Sequence, residues 1–394
     1  MRTAFTEMVG ARHPLAGFSR SPEVVVEVSR AGGLGVLGAT MYTPDQLDAR
    51  LTWIEDQLAG LPYGVDLLVP AGPPAATDGP GGTGPPASGS GATAAGVPDE
   101  HRAFVAELLD RYGIPPLTGE LDRTGRIDLS LQTHTAPETV AGLLDVTFAH
   151  RPALVANALG TAPPQLVTRA RAAGVAVAGL VGTAEHARRH LAAGADLLVA
   201  QGTEGGGHTG SVATMVLTPE VVDVAGDVPV LAAGGIATGR QLAAALALGA
   251  SGGWAGSVWL ASHEDPVSDV IKAKLLAARS TDTTISTTRT GKPARQLRSA
   301  WLAEWDRPGA PRPLPMPWQS VLVREAWERI DAAAERGDER ARELESFFVG
   351  QVVGTFTEIR PAAQIVADIV TGCEARLRAL AGLLDADAGT RPVS

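Results

Sequence analysis

The chain has 394 residues, of which 45% are hydrophobic but only 4% aromatic. That length allows one large domain with an appendage, or two modest ones, with a core built mainly from Ala, Val and Leu. The formal net charge of −10 argues against nucleic acid as a partner, because phosphate backbones are bound by clustered Lys and Arg. It leaves room for a local phosphate site made from backbone N–H groups. The single cysteine, Cys373, excludes a disulfide within the chain and disfavours a cysteine metal site. A cytoplasmic location fits that usage. Glu7, Arg12 and His13 interrupt the first residues, so no signal-peptide core is expected. No run of about 18 uncharged apolar residues reads as a membrane span, and no membrane partner is expected.

In chain order, Leu34–Gly38 is a short apolar run. Thr43 then caps a helix over Pro44–Leu58, with proline at its first position. Val65–Val69 is the next strand. Residues 70–98 are almost wholly Gly, Pro, Ala, Ser and Thr, and read as an insertion without a core. Further strands are expected at Leu154–Ala158, Val175–Val181, Leu197–Ala200, Val228–Ala232 and Gly253–Val258. Helices alternate with them over Pro163–Ala173, Ala184–Ala193 and Gly239–Leu248, and Gly174 and Gly194 fall where helices should stop. Such alternation predicts a parallel sheet, and its length favours an α/β fold of the (β/α)8 TIM-barrel type over residues 1–266. Ile127–Gln132 is a ninth strand candidate, placed outside the barrel. Residues 267–345 break the alternation and are assigned to an appended, mainly helical subdomain. Residues 346–394 form a C-terminal segment and helix packing on the barrel. Helices are expected over Glu325–Phe348 and Ala362–Leu384.

Three segments carry chemistry. Gln201–Gly210 follows a strand, where a barrel builds its active-site face. Its glycines, Gly205, Gly206 and Gly207, let the backbone approach a bound group or adopt positive φ. His208 at the end of that run is a candidate base, since neutral imidazole accepts protons near neutral pH. A flexible glycine turn with a solvent-facing histidine is the plain alternative. Val228–Arg240 runs a strand into Gly234 and Gly235, and Gly249–Ala261 runs one into Gly256 and Ser257. Together they match a phosphate site on the last two strand-to-helix loops, held by helix N-termini and glycine amides. Two ordinary strand–Gly–helix turns would read the same way.

These segments resemble the nitronate monooxygenase family, which includes FMN-dependent enoyl-acyl-carrier-protein reductases. The resemblance rests on Ser21-Pro-Glu-Val, on Arg30–Gly38, on Gly202–Gly210 with Gly205 in place of the family's alanine, and on Ala232–Ala237. Gly256-Ser257 stands where the family has Gly-Thr, and Thr290–Arg295 and the segment ending at Gln319 resemble its later region. The resemblance implies FMN on the top of the barrel and His208 as the proton-abstracting base. It implies flavin or phosphate contacts at Gly206, Gly207, Gly234, Gly235, Gly256 and Ser257. Ala16 and Gly17 would lie beside the flavin ring, with Gln201 and Thr183 as further contacts. Two departures stand out. The opening strand is about four residues shorter than the family's, which implies a short or displaced β1. Asp66 stands where the family often has a flavin-contacting Asn, and a buried carboxylate there would disfavour an anionic reduced flavin.

The expected activity is FMN-dependent oxidation of a small carbon acid, of nitronate type, by dioxygen. An NAD(P)H-dependent flavin or enoyl-thioester reductase is the enzymatic alternative. A barrel without redox turnover, acting as a ligand-binding or complex subunit, is the other. No metal site is expected; His186 and His190 share a helix face, among arginines. Glu204 reads as a loop anchor accepting backbone hydrogen bonds, or as a second catalytic group. The Trp residues at 301, 305, 318 and 327 read as core or subunit-interface packing, leaving a homodimer open.

Overall fold

The computed structural model describes residues 1–40, 42–70, 96–117 and 135–388. Most of 70–98, and all of Ile127–Gln132, lie outside the described residues. Eight parallel strands close into a barrel in sequential order: β1 Leu15–Ser19, β2 Leu34–Gly38, β3 Tyr63–Leu67, β4 Leu154–Asn157, β5 Ala176–Val181, β6 Leu197–Gln201, β7 Val230–Ala233 and β8 Gly252–Ala255. The fold is a (β/α)8 TIM barrel.

β1 is neither short nor displaced. It has five residues, as β2, β3 and β6 do. It pairs on both sides, with Ala16 opposite Leu34 of β2 and Trp254 of β8. β7 begins after Pro229 instead of at Val228, because proline cannot donate to the ladder. β8 stops at Ala255, since a 3-10 turn over Ser257–Ala261 takes the chain away.

Residues alternate across each strand. Ala16, Leu34, Val36, Leu154, Ala156, Val199 and Leu231 fill the barrel interior, joined by Phe5 and Val9 from the helix Ala4–Val9. The Thr3 hydroxyl donates to the carbonyl of Ser251, just before β8, at 2.7 Å. That helix therefore plugs the N-terminal end of the barrel and leaves its C-terminal end as the only open face among the described residues. Outward strand residues pack under helices whose starts the sequence encodes. Ser21, Thr43 and Thr183 each accept a bond from a first-turn amide.

The long helix predicted over Glu325–Phe348 is broken in two. One helix spans Trp318–Glu335 and a second spans Glu339–Leu344. Gly337 takes φ +96 between them, and the Asp338 carboxylate caps the second helix by accepting from the amides of Arg340 and Ala341. Residues beyond Leu344 run irregularly to the barrel mouth. Trp301, Trp305 and Trp327 form a satellite core with these helices, and helix Asp99–Arg111 joins it through Val105, Leu108 and Leu109. The region also holds an antiparallel hairpin, β9 Thr283–Ser286 and β10 Ala294–Leu297.

The C-terminal helix Ala362–Ala388 lies against the helix Gly239–Ala247. A Cβ on Gly239 would sit 2.2 Å from the amide nitrogen of Cys373 and 2.3 Å from the carbonyl carbon of Gly372. Backbone cannot yield as a side-chain tip does, so Gly239→Val is expected to lower stability by about 3 kcal/mol. Its thermal melt, followed by circular dichroism, should fall by several degrees. An unchanged melt would mean that the two helices do not meet this way.

Candidate active site

The open end is floored by Phe18, Asp66, Leu180, Gln201, Ala233 and Trp254, the inward residues nearest the strand ends. Phe18 stacks on Trp254 with ring centroids 6.3 Å apart. The β6 loop forms one wall and folds through specific bonds. The Glu204 carboxylate accepts from the Thr214 amide at 2.9 and 3.1 Å, and lies 2.9 Å from the Thr214 hydroxyl. It therefore anchors the loop to the first turn of helix Thr214–Ala225, where negative charge is favoured. Gly207, at φ +72, exchanges backbone bonds of 2.9 and 2.7 Å with Arg295 of β10. The Arg295 guanidinium also donates to the Thr203 carbonyl at 2.9 Å and to the Thr283 hydroxyl at 3.1 Å. The hairpin thus braces the glycine loop from the appended region.

His208 is held by that same hairpin. Its Nδ1 lies 2.9 Å from the carbonyl oxygen of Pro293. A carbonyl only accepts, so in the neutral ring Nδ1 carries the proton and Nε2 keeps its lone pair. Although the ring has an exposed edge, the protein packed around it lowers its pKa through desolvation, and the Lys292 ammonium lowers it further. The carbonyl bond acts in the opposite direction without reversing the shift. The imidazole is therefore neutral at pH 7, as a base must be.

The predicted phosphate loops lie side by side at the ends of β7 and β8. Gly234 and Gly235 both take positive φ, +85 and +81. Gln241 Oε1 accepts from the amides of Ala237 and Thr238, each at 2.9 Å, so these two are already spent within the helix cap. Among the described residues, the amides of Gly235, Ile236, Gly256 and Ser257 donate to no protein acceptor. Four such N–H groups on adjacent strand ends suit a phosphate. The Ser257 hydroxyl oxygen accepts from the Gly350 amide at 2.8 Å, and the Gln351 amide donates to the Glu204 carbonyl at 2.9 Å. Residues 350 and 351 thus tie the β8 end to the β6 loop.

Not every predicted contact reaches the mouth. Ala16 is enclosed in the barrel interior, and Gly17 faces outward, where a Cβ would sit 2.9 Å from both Val28 and Trp259. Phe18 is the β1 residue at the floor. Thr183 serves as a helix cap, accepting from the His186 amide at 3.1 Å. Gln201 is half-buried at the floor, beside Gly205. His190 is buried against Gly179 of β5, where burial drives its pKa down to about 4. Lys292, Pro293, Arg295 and Gly350 were missed as site residues. They lie far from the glycine loop in sequence, and only the resemblance at Thr290–Arg295 gave a signal.

The pattern of the nitronate monooxygenase family matches residues 5–78 and 123–372. The chain belongs to the nitronate monooxygenase family. It is an oxidoreductase of the nitronate monooxygenase type. A Mycobacterium tuberculosis protein named as a monooxygenase, Rv1533, is 53% identical over 370 residues, covering 94% of this chain and 96% of its own. A Rhodococcus jostii protein named as a (3aS,4S,5R,7aS)-5-hydroxy-7a-methyl-1-oxo-octahydro-1H-indene-4-carboxyl-CoA dehydrogenase is 30% identical over 97% of this chain and 99% of its own. The structure of a nitroalkane oxidase from Streptomyces ansochromogenes superposes with TM-score 0.73 at 26% identity, covering 96% of this chain and all of that one. These likenesses and the unpaired amides fit a flavin cofactor. Among the described residues, no helix is long and apolar enough to cross a membrane.

Proposed function

We propose that this nitronate monooxygenase family member binds FMN and oxidises a small carbon acid, of nitronate or nitroalkane type, with dioxygen as the electron acceptor. One observation carries the reading: His208 offers an unprotonated Nε2 at the open end of the barrel, with its tautomer fixed by the Pro293 carbonyl. Gly235, Ile236, Gly256 and Ser257 would hold the phosphate through backbone amides. Gly206, Gly207, Gly234, Asp66 and Gln201 would shape the ring site with Phe18, and Ala16, Gly17 and Thr183 would support it from behind. When bound, the flavin accepts electrons from the substrate and passes them to dioxygen. The chain's own residues do the rest. His208 takes the proton from the carbon next to the nitro group, and the Lys292 ammonium beside it favours the anion that forms.

A second reading has its own support. The carboxyl-CoA dehydrogenase relative shares 30% identity along nearly the whole chain. The same base could then act on a carbon next to a thioester. Dioxygen uptake by the FMN-loaded protein separates the two. Uptake is expected with a nitronate and none with an acyl-CoA. Uptake or flavin bleaching with the thioester alone would favour the second reading.

A further inference from the structure

Asp66 is out of place in an otherwise apolar floor. On β3, Gly64 faces Val36 inside the barrel, while Val65 and Leu67 pack outward. Alternation therefore turns Asp66 inward, at the level of Phe18, Leu180 and Trp254. Only 3% of it is exposed. Its partners in register are Gly38 on β2 and Ala156 on β4, and neither side chain can bond it. The carboxyl meets the Ala158 amide, and among the described residues Oδ1 has no hydrogen-bond partner. A buried polar atom left so needs an explanation, since desolvation without a bond is costly.

Among the described residues, no cation compensates. β2 and the β4 end present Gly38, Ala156 and Ala158 to this side. β1 brings Arg20 to the rim, where its stem passes Gly38, and Tyr42 follows β2. Neither these groups nor His208 across the mouth exerts a charge effect on Asp66. Burial, opposed only by the Ala158 amide, pushes its pKa up to about 7. A neutral acid carries an O–H donor, which a carboxylate lacks.

Resting on the flavin reading above, we propose that Asp66 meets the bound flavin ring as a neutral carboxylic acid, donating its proton to a ring acceptor, and that ionising Asp66 weakens flavin binding. The side chain then does as an acid what an amide would do at the same place. This reverses the sequence-based expectation of a carboxylate beside the ring.

The test is FMN affinity, read by quenching of flavin fluorescence on titration into flavin-free protein from about pH 6.5 to about pH 9. That window lies above the phosphate's own ionisation near 6. If only the neutral acid binds well, the wild-type Kd rises towards tenfold per pH unit above the Asp66 pKa. Asp66→Asn, an isosteric permanent donor, should bind FMN tightly with little pH dependence. Its melting temperature should exceed that of the wild type above about pH 5, by an amount that grows to about pH 7 and then levels off, because the unfolded chain ionises Asp66 at about pH 4 and the fold only at about 7. A wild-type Kd that stays flat across the window overturns the proposal while leaving the flavin reading intact, even if Asp66→Asn fails to fold. Parallel pH profiles for the two proteins overturn it as well. A protein that takes up no FMN at any pH overturns both.

Discussion

His208→Ala should lower kcat/KM for a neutral nitroalkane by about 10²–10⁴-fold, the usual contribution of a positioned base, while flavin content stays near that of the wild type. Among the described residues, the side chain's one direct bond is to the Pro293 carbonyl, and the glycine loop is braced separately by Arg295 and Glu204. Its removal therefore takes the base and leaves the site. Substrate supplied as preformed nitronate has already lost its proton, so the variant should lose far less with it. The pH dependence follows from the lowered pKa of His208. The base works when neutral, so the neutral-nitroalkane rate should hold as pH falls to about 6.5 and drop only below it, as Nε2 gains a proton. Turnover on the neutral substrate that survives in His208→Ala would remove the histidine from the chemistry.

The second large effect is expected at Gly234. Its φ of +85 is strained for any residue with a Cβ, and that atom would lie 2.8 Å from the Gly202 carbonyl oxygen and 3.1 Å from the Gly205 amide nitrogen. Both contacts are backbone of the β6 loop. Strain of about 1–2 kcal/mol adds to a displacement of the loop that carries His208. Gly234→Ala should therefore weaken FMN binding by roughly tenfold to a hundredfold, and lower turnover even when FMN is saturating. Fluorescence titration reads the first effect and saturated kinetics the second. Wild-type affinity would show that this turn does not shape the flavin site.

Much of this was legible in the sequence because it is local. β2 is found where its apolar run lies, and β4, β5 and β6 start and end within about one residue of theirs. Thr43, Pro44 and Gly174 mark helix ends by chemistry confined to one turn. The glycines after β6, β7 and β8 announce loops where backbone comes close. What the sequence withheld are contacts between distant segments. Nothing near His208 points to Pro293, eighty-five positions on, and nothing near Ser257 points to Gly350. Helix Asp99–Arg111 carries an ordinary apolar face, and no local signal says that it packs with Trp301 and Trp327. The broken helix shows the same limit. Apolar spacing continued past Gly337, but a glycine at positive φ and the Asp338 cap made two helices of it.

The proposed reaction passes electrons from a carbon acid to a bound flavin. The most direct measurement is the visible spectrum of the FMN-loaded protein after anaerobic mixing with a nitronate, with NADH and with NADPH separately. The nitronate alone should bleach the flavin, and admitting dioxygen should restore it. Bleaching by a nicotinamide but not by the nitronate would contradict the proposed reaction.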